Sequence, residues 1–147
     1  MEQHTKRGSS WQVVLVVAAA FAVAGLAACS DEEPGENTGN SCTAASQCYP
    51  GIDPATIQGT VICLDRVTSG YCTHTCTVDG DCCAADGECR TGFPQVCSPM
   101  ESAPETYCFL SCEGVADEAT YCQQNANAAF VCRSTGGGTL NRKVCLP

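Results

Sequence analysis

The chain has 147 residues, 16 acidic and 7 basic side chains, a formal net charge of −9 and 15 cysteines. Such an acidic balance excludes nucleic acid and anionic lipid headgroups as partners held by charge. One residue in ten being cysteine points to a disulfide scaffold rather than a large apolar core.

At the start, Lys6 and Arg7 precede an apolar run, Trp11 to Ala28, in which Gln12 is the one polar side chain. A basic segment, an apolar segment and small residues before a boundary predict an export signal helix over residues 1–28, present in the precursor and then removed. From Val13 to Ala28 the run is shorter than the ~20 residues a membrane span needs, and Asp31, Glu32 and Glu33 follow at once. The boundary itself, Leu26-Ala27-Ala28-Cys29, resembles the lipobox of bacterial lipoproteins. The resemblance implies a diacylglycerol with palmitate-like chains on the Cys29 thiol, cleavage just before it, and acylation of the new amino group. Each buried CH₂ contributes ~0.8 kcal/mol, so two or three chains anchor firmly where one is marginal. The membrane is then a partner through the N-terminal lipid. Ser30 is not the aspartate that in enteric bacteria resembles an inner-membrane retention signal, which favours the outer membrane, on its periplasmic or exposed face.

Cleavage removes Glu2, Lys6 and Arg7, which takes the net charge from −9 to −10, and leaves His74 as the one histidine. Residues 29–41, the lipidated cysteine followed by acids with Pro34, Gly35 and Gly39, read as a disordered acidic tether. Beyond it, only 16 of the 104 residues from Cys42 to Cys145 are Leu, Ile, Val or Phe. So thin a core cannot offset ordering costs of ~1.5 kcal/mol per residue. Disulfides at ~2–4 kcal/mol each can supply the difference.

With Cys29 set aside, 14 cysteines remain, an even number. They repeat. Cys-Thr-x4-Cys occurs at 42–48 and 76–82, an apolar residue precedes Cys63, Cys97 and Cys132, and another precedes Cys72, Cys108 and Cys145. Cys-x3-Cys links neighbours at 72–76 and 108–112. The pattern predicts three tandem cysteine units. Unit 42–75 holds Cys42, Cys48, Cys63 and Cys72; unit 76–111 holds Cys76, Cys82, Cys83, Cys89, Cys97 and Cys108; unit 112–147 holds Cys112, Cys122, Cys132 and Cys145. Pairing within units reduces roughly 135,000 connectivities to about 135. Each unit is expected to open with a single helical turn, capped by Thr, Ser or Asp, and to close with a short β-hairpin. Cys82 and Cys83, being adjacent, should bond to different partners. Cys76-Thr-Val-Asp-Gly-Asp-Cys82 resembles an element of secreted four-disulfide-core domains, which include protease inhibitors. The chain as a whole resembles cysteine-rich lipoproteins of uncharacterised function in myxobacteria and their relatives, which carry no catalytic residues over to it.

Chemistry is sparse. Asp79, Asp81, Asp86 and Glu88 are weak calcium candidates, since a calcium loop alternates oxygen ligands, and here two cysteines divide the acids. His74 lies between Cys72 and Cys76, but zinc or copper there would need free thiols. No Gly-x-Ser-x-Gly element accompanies the lone histidine. No catalytic residue, metal or cofactor is therefore expected. Two loops are binding candidates, 49–62 with two prolines and two glycines, and 133–143 with Arg133, Arg142 and Lys143. The resulting expectation is an exported, lipid-anchored, non-catalytic binding or structural module with an unidentified protein or glycan ligand. The alternative is an inhibitor of secreted proteases that uses a disulfide-fixed loop.

Overall fold

The computed structural model describes residues 37–89, 92–101 and 103–147. The expected signal helix over 1–28, Cys29, and residues 30–36 lie outside them. The described chain is small, disulfide-rich and built from three short antiparallel hairpins and one α-helix. Strand β1 (Val61–Cys63) pairs with β2 (Cys72–His74), β3 (Gln95–Pro99) with β4 (Thr106–Leu110), and β5 (Val131–Ser134) with β6 (Lys143–Leu146). A helical segment precedes each hairpin: 3-10 turns at Ala45–Gln47 and Asp79–Cys83, then helix α1 at Glu118–Asn125.

The helical segments are capped in two ways. In α1 the Asp117 carboxylate accepts from the N–H groups of Ala119 and Thr120, and Glu118 adds negative charge to the first turn. This makes α1 longer than the single turn the sequence suggests. Before the other two hairpins, the threonine after the first cysteine does not cap. Its own N–H is capped instead by a residue four positions on, Thr43 by Gln47 Oε1 at 2.7 Å and Thr77 by Asp81 Oδ2 at 2.7 Å.

An isolated two-stranded ribbon is marginal in water. Here each ribbon is clamped by two bridges. Cys63 faces Cys72, Cys97 faces Cys108, and Cys132 faces Cys145 across the strands. None of these facing pairs bonds to each other. The first-strand cysteine reaches back to the start of its segment, giving Cys42–Cys63, Cys76–Cys97 and Cys112–Cys132. The second-strand cysteine bonds beside or within the helical segment, giving Cys48–Cys72, Cys82–Cys108 and Cys122–Cys145. The seventh bridge, Cys83–Cys89, stands outside this scheme and closes a loop with a separation of only 6 residues. Cys82 and Cys83 thus go to different partners.

The hairpins also join one another. The chain leaving β2 pairs Thr75 with Tyr107 of β4, and the chain leaving β4 pairs Ser111 with Val144 of β6. Thr75 and Ser111 each lie three residues past the second-strand cysteine, so the two Cys-x3-Cys links make equivalent joints. At their centre is one apolar cluster. Tyr71 is fully buried, with its ring 5.4 Å from Phe109 and stacked 5.8 Å from Phe130. Its hydroxyl accepts from the Leu110 N–H at 3.3 Å. Leu64 and Val67 from the first hairpin's turn pack in the same cluster as Val144 and Leu146. Aromatic rings, each covering a large area, give a core this short of aliphatic residues its contacts.

One boundary differs from the sequence reading. Residues 37–41 belong to the folded body and not to a disordered tether. The Gly39 N–H donates to Cys72 O and the Cys72 N–H to Asn40 O, while Thr38 is buried with its hydroxyl 2.8 Å from that of Tyr49. The segment is polar in composition, but its backbone finds partners alongside the first hairpin, which composition does not reveal.

Candidate functional site

The residues singled out for chemistry are placed by three separate elements. His74 ends β2 at the joint to the next hairpin. Its side chain and that of Glu88 have no solvent exposure, and Nε2 lies 2.6 Å from Glu88 Oε1. Nδ1 faces two carbonyls, Gln58 O at 2.9 Å and Thr75 O at 3.0 Å. Nδ1 therefore donates to carbonyls, and Nε2 faces the Glu88 carboxyl, an arrangement that favours the protonated imidazole when that carboxyl is ionised. Burial pulls the imidazole down, but the hydrogen bond and charge of Glu88, with the Thr75 and Gln58 carbonyls, hold it above its usual value of 6.5. The second carboxylate oxygen of Glu88 accepts from the Ala85 N–H at 2.9 Å, and the ring of Tyr49 stands edge-on to His74.

The four acids expected to be weak calcium candidates do not share a point. Glu88 is taken by His74. Asp81 accepts from the hydroxyl and N–H of Thr77 and from the Val78 N–H, which hold its carboxyl below the usual range. Asp79 accepts from the Cys97 N–H at 2.8 Å and pairs with Arg142 at 3.0 Å. Asp86 sits exposed on the 83–89 loop. Among the described residues, the only groups of three or more potential metal ligands close together consist of cysteines already in disulfides.

The basic loop 133–143 is not an open cationic surface. Arg142 places its fork on Glu113, with Nε 2.9 Å from Oε1 and Nη2 2.9 Å from Oε2, and extends Nη1 to Asp79. The guanidinium keeps the Glu113 carboxyl below its ordinary value. Lys143 pairs with Glu118 at 2.9 Å, and Arg133 donates to the Pro147 carbonyl. All three bases are thus engaged within the molecule, which corrects the charge argument for this loop. In the other candidate, 49–62, Tyr49 and Ile57 are buried anchors and Asp53 to Thr56 stay exposed. There Asp53 accepts from the Ala55 N–H through Oδ1 and from the Thr56 N–H through its carbonyl. The tip is a fixed turn, not an extended strand.

The His74–Glu88 pair is the site that residue-by-residue reading missed. A signal exists in the repeat: counted from the second-strand cysteine, His74 occupies the position that Leu110 fills at the next joint. A histidine where the pattern calls for a buried leucine needs a buried partner. Both side chains are enclosed here, whereas general acid–base work requires contact with a substrate. What it does is hold the 83–89 loop against the first hairpin.

No protein-family model, curated protein or solved structure matches this chain. Among the described residues, no helix is long and apolar enough to cross a membrane.

Proposed function

We propose that this chain is an exported bacterial lipoprotein whose three tandem cysteine units form a non-catalytic binding or structural module. The signal is residues 1–28, the acylated residue is Cys29, and the folded body is held at the outer membrane on its periplasmic or exposed face. One observation carries the reading. All 14 cysteines from Cys42 to Cys145 are paired in seven bridges, so Cys29 alone is left over, and it falls at the lipobox boundary. Seven bridges fit an oxidising compartment, which export provides. Burial of the one titratable pair at the joint supports a scaffold role rather than catalysis. The ligand class this reading favours is a protein or glycan met by rigid loops, whose ordering cost is already met by the bridges. The Asp53–Thr56 turn is the loop best placed for it.

The test is expression of the wild type and Cys29→Ser in a bacterial host, followed by detergent phase partitioning. Wild type should enter the detergent phase. Cys29→Ser should remain an unprocessed precursor or turn up in the aqueous phase. Equal partitioning of both, with equal processing, rejects the lipid anchor.

A further inference from the structure

Six bridges clamp the hairpins, and each has at least one buried cysteine. Cys83–Cys89 differs from them on three counts. Cys83 is exposed, the one exposed cysteine among the bridged fourteen, and Cys89 is half-buried, so this is the one bridge without a buried cysteine. The bridge belongs to no hairpin. It also closes the shortest loop, a separation of 6 against 20 to 26 for the others, so the least chain-entropy stabilisation is lost when it opens. It lines an open groove of about 670 Å³ with Asp86, Gly87, Phe93 and Pro94, which gives an attacking sulfur access.

The loop this bridge closes carries Glu88, whose carboxyl lies 2.6 Å from His74 Nε2. We infer that Cys83–Cys89 is a thiol-exchange site, reducible by an external dithiol while the hairpin bridges stay closed, and that its opening releases Glu88 from His74. The exchange needs no other reagent. A thiolate of the dithiol attacks Cys83 Sγ, forming a mixed disulfide and expelling Cys89 Sγ as thiolate, which takes up a proton. The second thiol of the reagent then attacks the mixed disulfide and loses its proton, closing a cyclic disulfide and leaving Cys83 reduced. Two electrons pass from dithiol to protein. Exposed bridges outside the structural framework are the labile ones. Once the bridge opens, the 83–89 loop keeps only non-covalent ties, the His74–Glu88 pair, the Asn37 side chain on Glu88 O at 3.2 Å and the Ala85–Glu88 turn among them, and the loop's added freedom works against the pair. The inference stands on the bridge and groove, and is independent of the lipid anchor.

The full-length protein in detergent, exposed to graded dithiothreitol at neutral pH and quenched with iodoacetamide, tests it by peptide mapping. Cys83 and Cys89 should be alkylated at least tenfold faster than any other pair. Hydrogen exchange of the species labelled only at these two positions should accelerate in residues 84–89 and leave β1 to β6 protected. A different pair opening first, or all seven opening together, overturns the exchange site. Unchanged exchange in 84–89 overturns the release of Glu88. Cys83→Ser/Cys89→Ser should reproduce the loosened loop without reductant, and if it fails to fold, the labelling order on wild type still decides.

Discussion

At the scale of single residues, the most consequential feature is a charge pair buried where the repeat has a leucine. Removing one partner of such a pair strands the other, at a cost of about 3–5 kcal/mol. Glu88→Ala should lose that much in chemical denaturation. His74 sits above 6.5 in the fold, so its stabilising contribution is complete below about 6.5 and disappears as pH rises through the folded value. The melting temperature of wild type should therefore fall on the alkaline side of neutrality. Glu88→Gln reverses the sign. A glutamine amide satisfies a neutral imidazole at Nε2, burial then dominates, and stability should be lost as pH drops below about 6.5. Glu88 and the more distant Asp81 are the acids that feel this imidazole, and Tyr49 packs against it. Melting curves at several pH values distinguish the two slopes. Identical slopes in wild type and Glu88→Gln would contradict the assignment of the charge. Replacing the pair together, His74→Leu with Glu88→Met, should recover most of the single-variant loss, because well-packed apolar side chains often match a buried ion pair.

At the scale of elements, the unit of construction is a helical segment stapled by two bridges across a hairpin. Gly70 shows how tightly the first one closes. Its φ is +69°, and a Cβ there would lie 2.1 Å from the Cys42 carbonyl oxygen and 2.8 Å from Cys63 Sγ. Gly70→Ala should destabilise by at least about 1 kcal/mol and lower the yield of the Cys42–Cys63 bridge, read by non-reducing peptide mapping. Much of this architecture was legible beforehand, since apolar residues before Cys63, Cys72, Cys97, Cys108, Cys132 and Cys145 mark the strands, and Cys-x3-Cys marks the joints. The rest was not, for identifiable reasons. Capping by Gln47 and Asp81 runs backwards from the helical turn to the preceding N–H groups, so local N-cap rules point to the wrong residue. Which cysteine pairs with which depends on the fold of the helical segment over the ribbon, and spacing alone leaves three choices for four cysteines. The pairing of His74 with Glu88 spans 14 positions of chain and appears only when the 83–89 loop is folded back.

At the scale of the molecule, the three hairpins are not beads on a string. Tyr71 of the first meets Phe109 of the second and stacks on Phe130 of the third. Tyr71→Ala should cost about 3–5 kcal/mol and broaden the unfolding transition, as measured by circular dichroism. Tyr71→Phe should cost about 1 kcal/mol for the hydrogen bond from Leu110. A thin core of this kind needs its bridges, and bridges persist in an oxidising compartment, so the fold and the proposed export are tested together. Intact-mass spectrometry of the unreduced protein, purified from whole cells in detergent, is the most direct test. The account predicts a mass that starts at Cys29, carries two or three acyl chains, and lacks fourteen hydrogens for seven bridges. A mass that still includes Met1 to Ala28, or one with free thiols among Cys42 to Cys145, would contradict it.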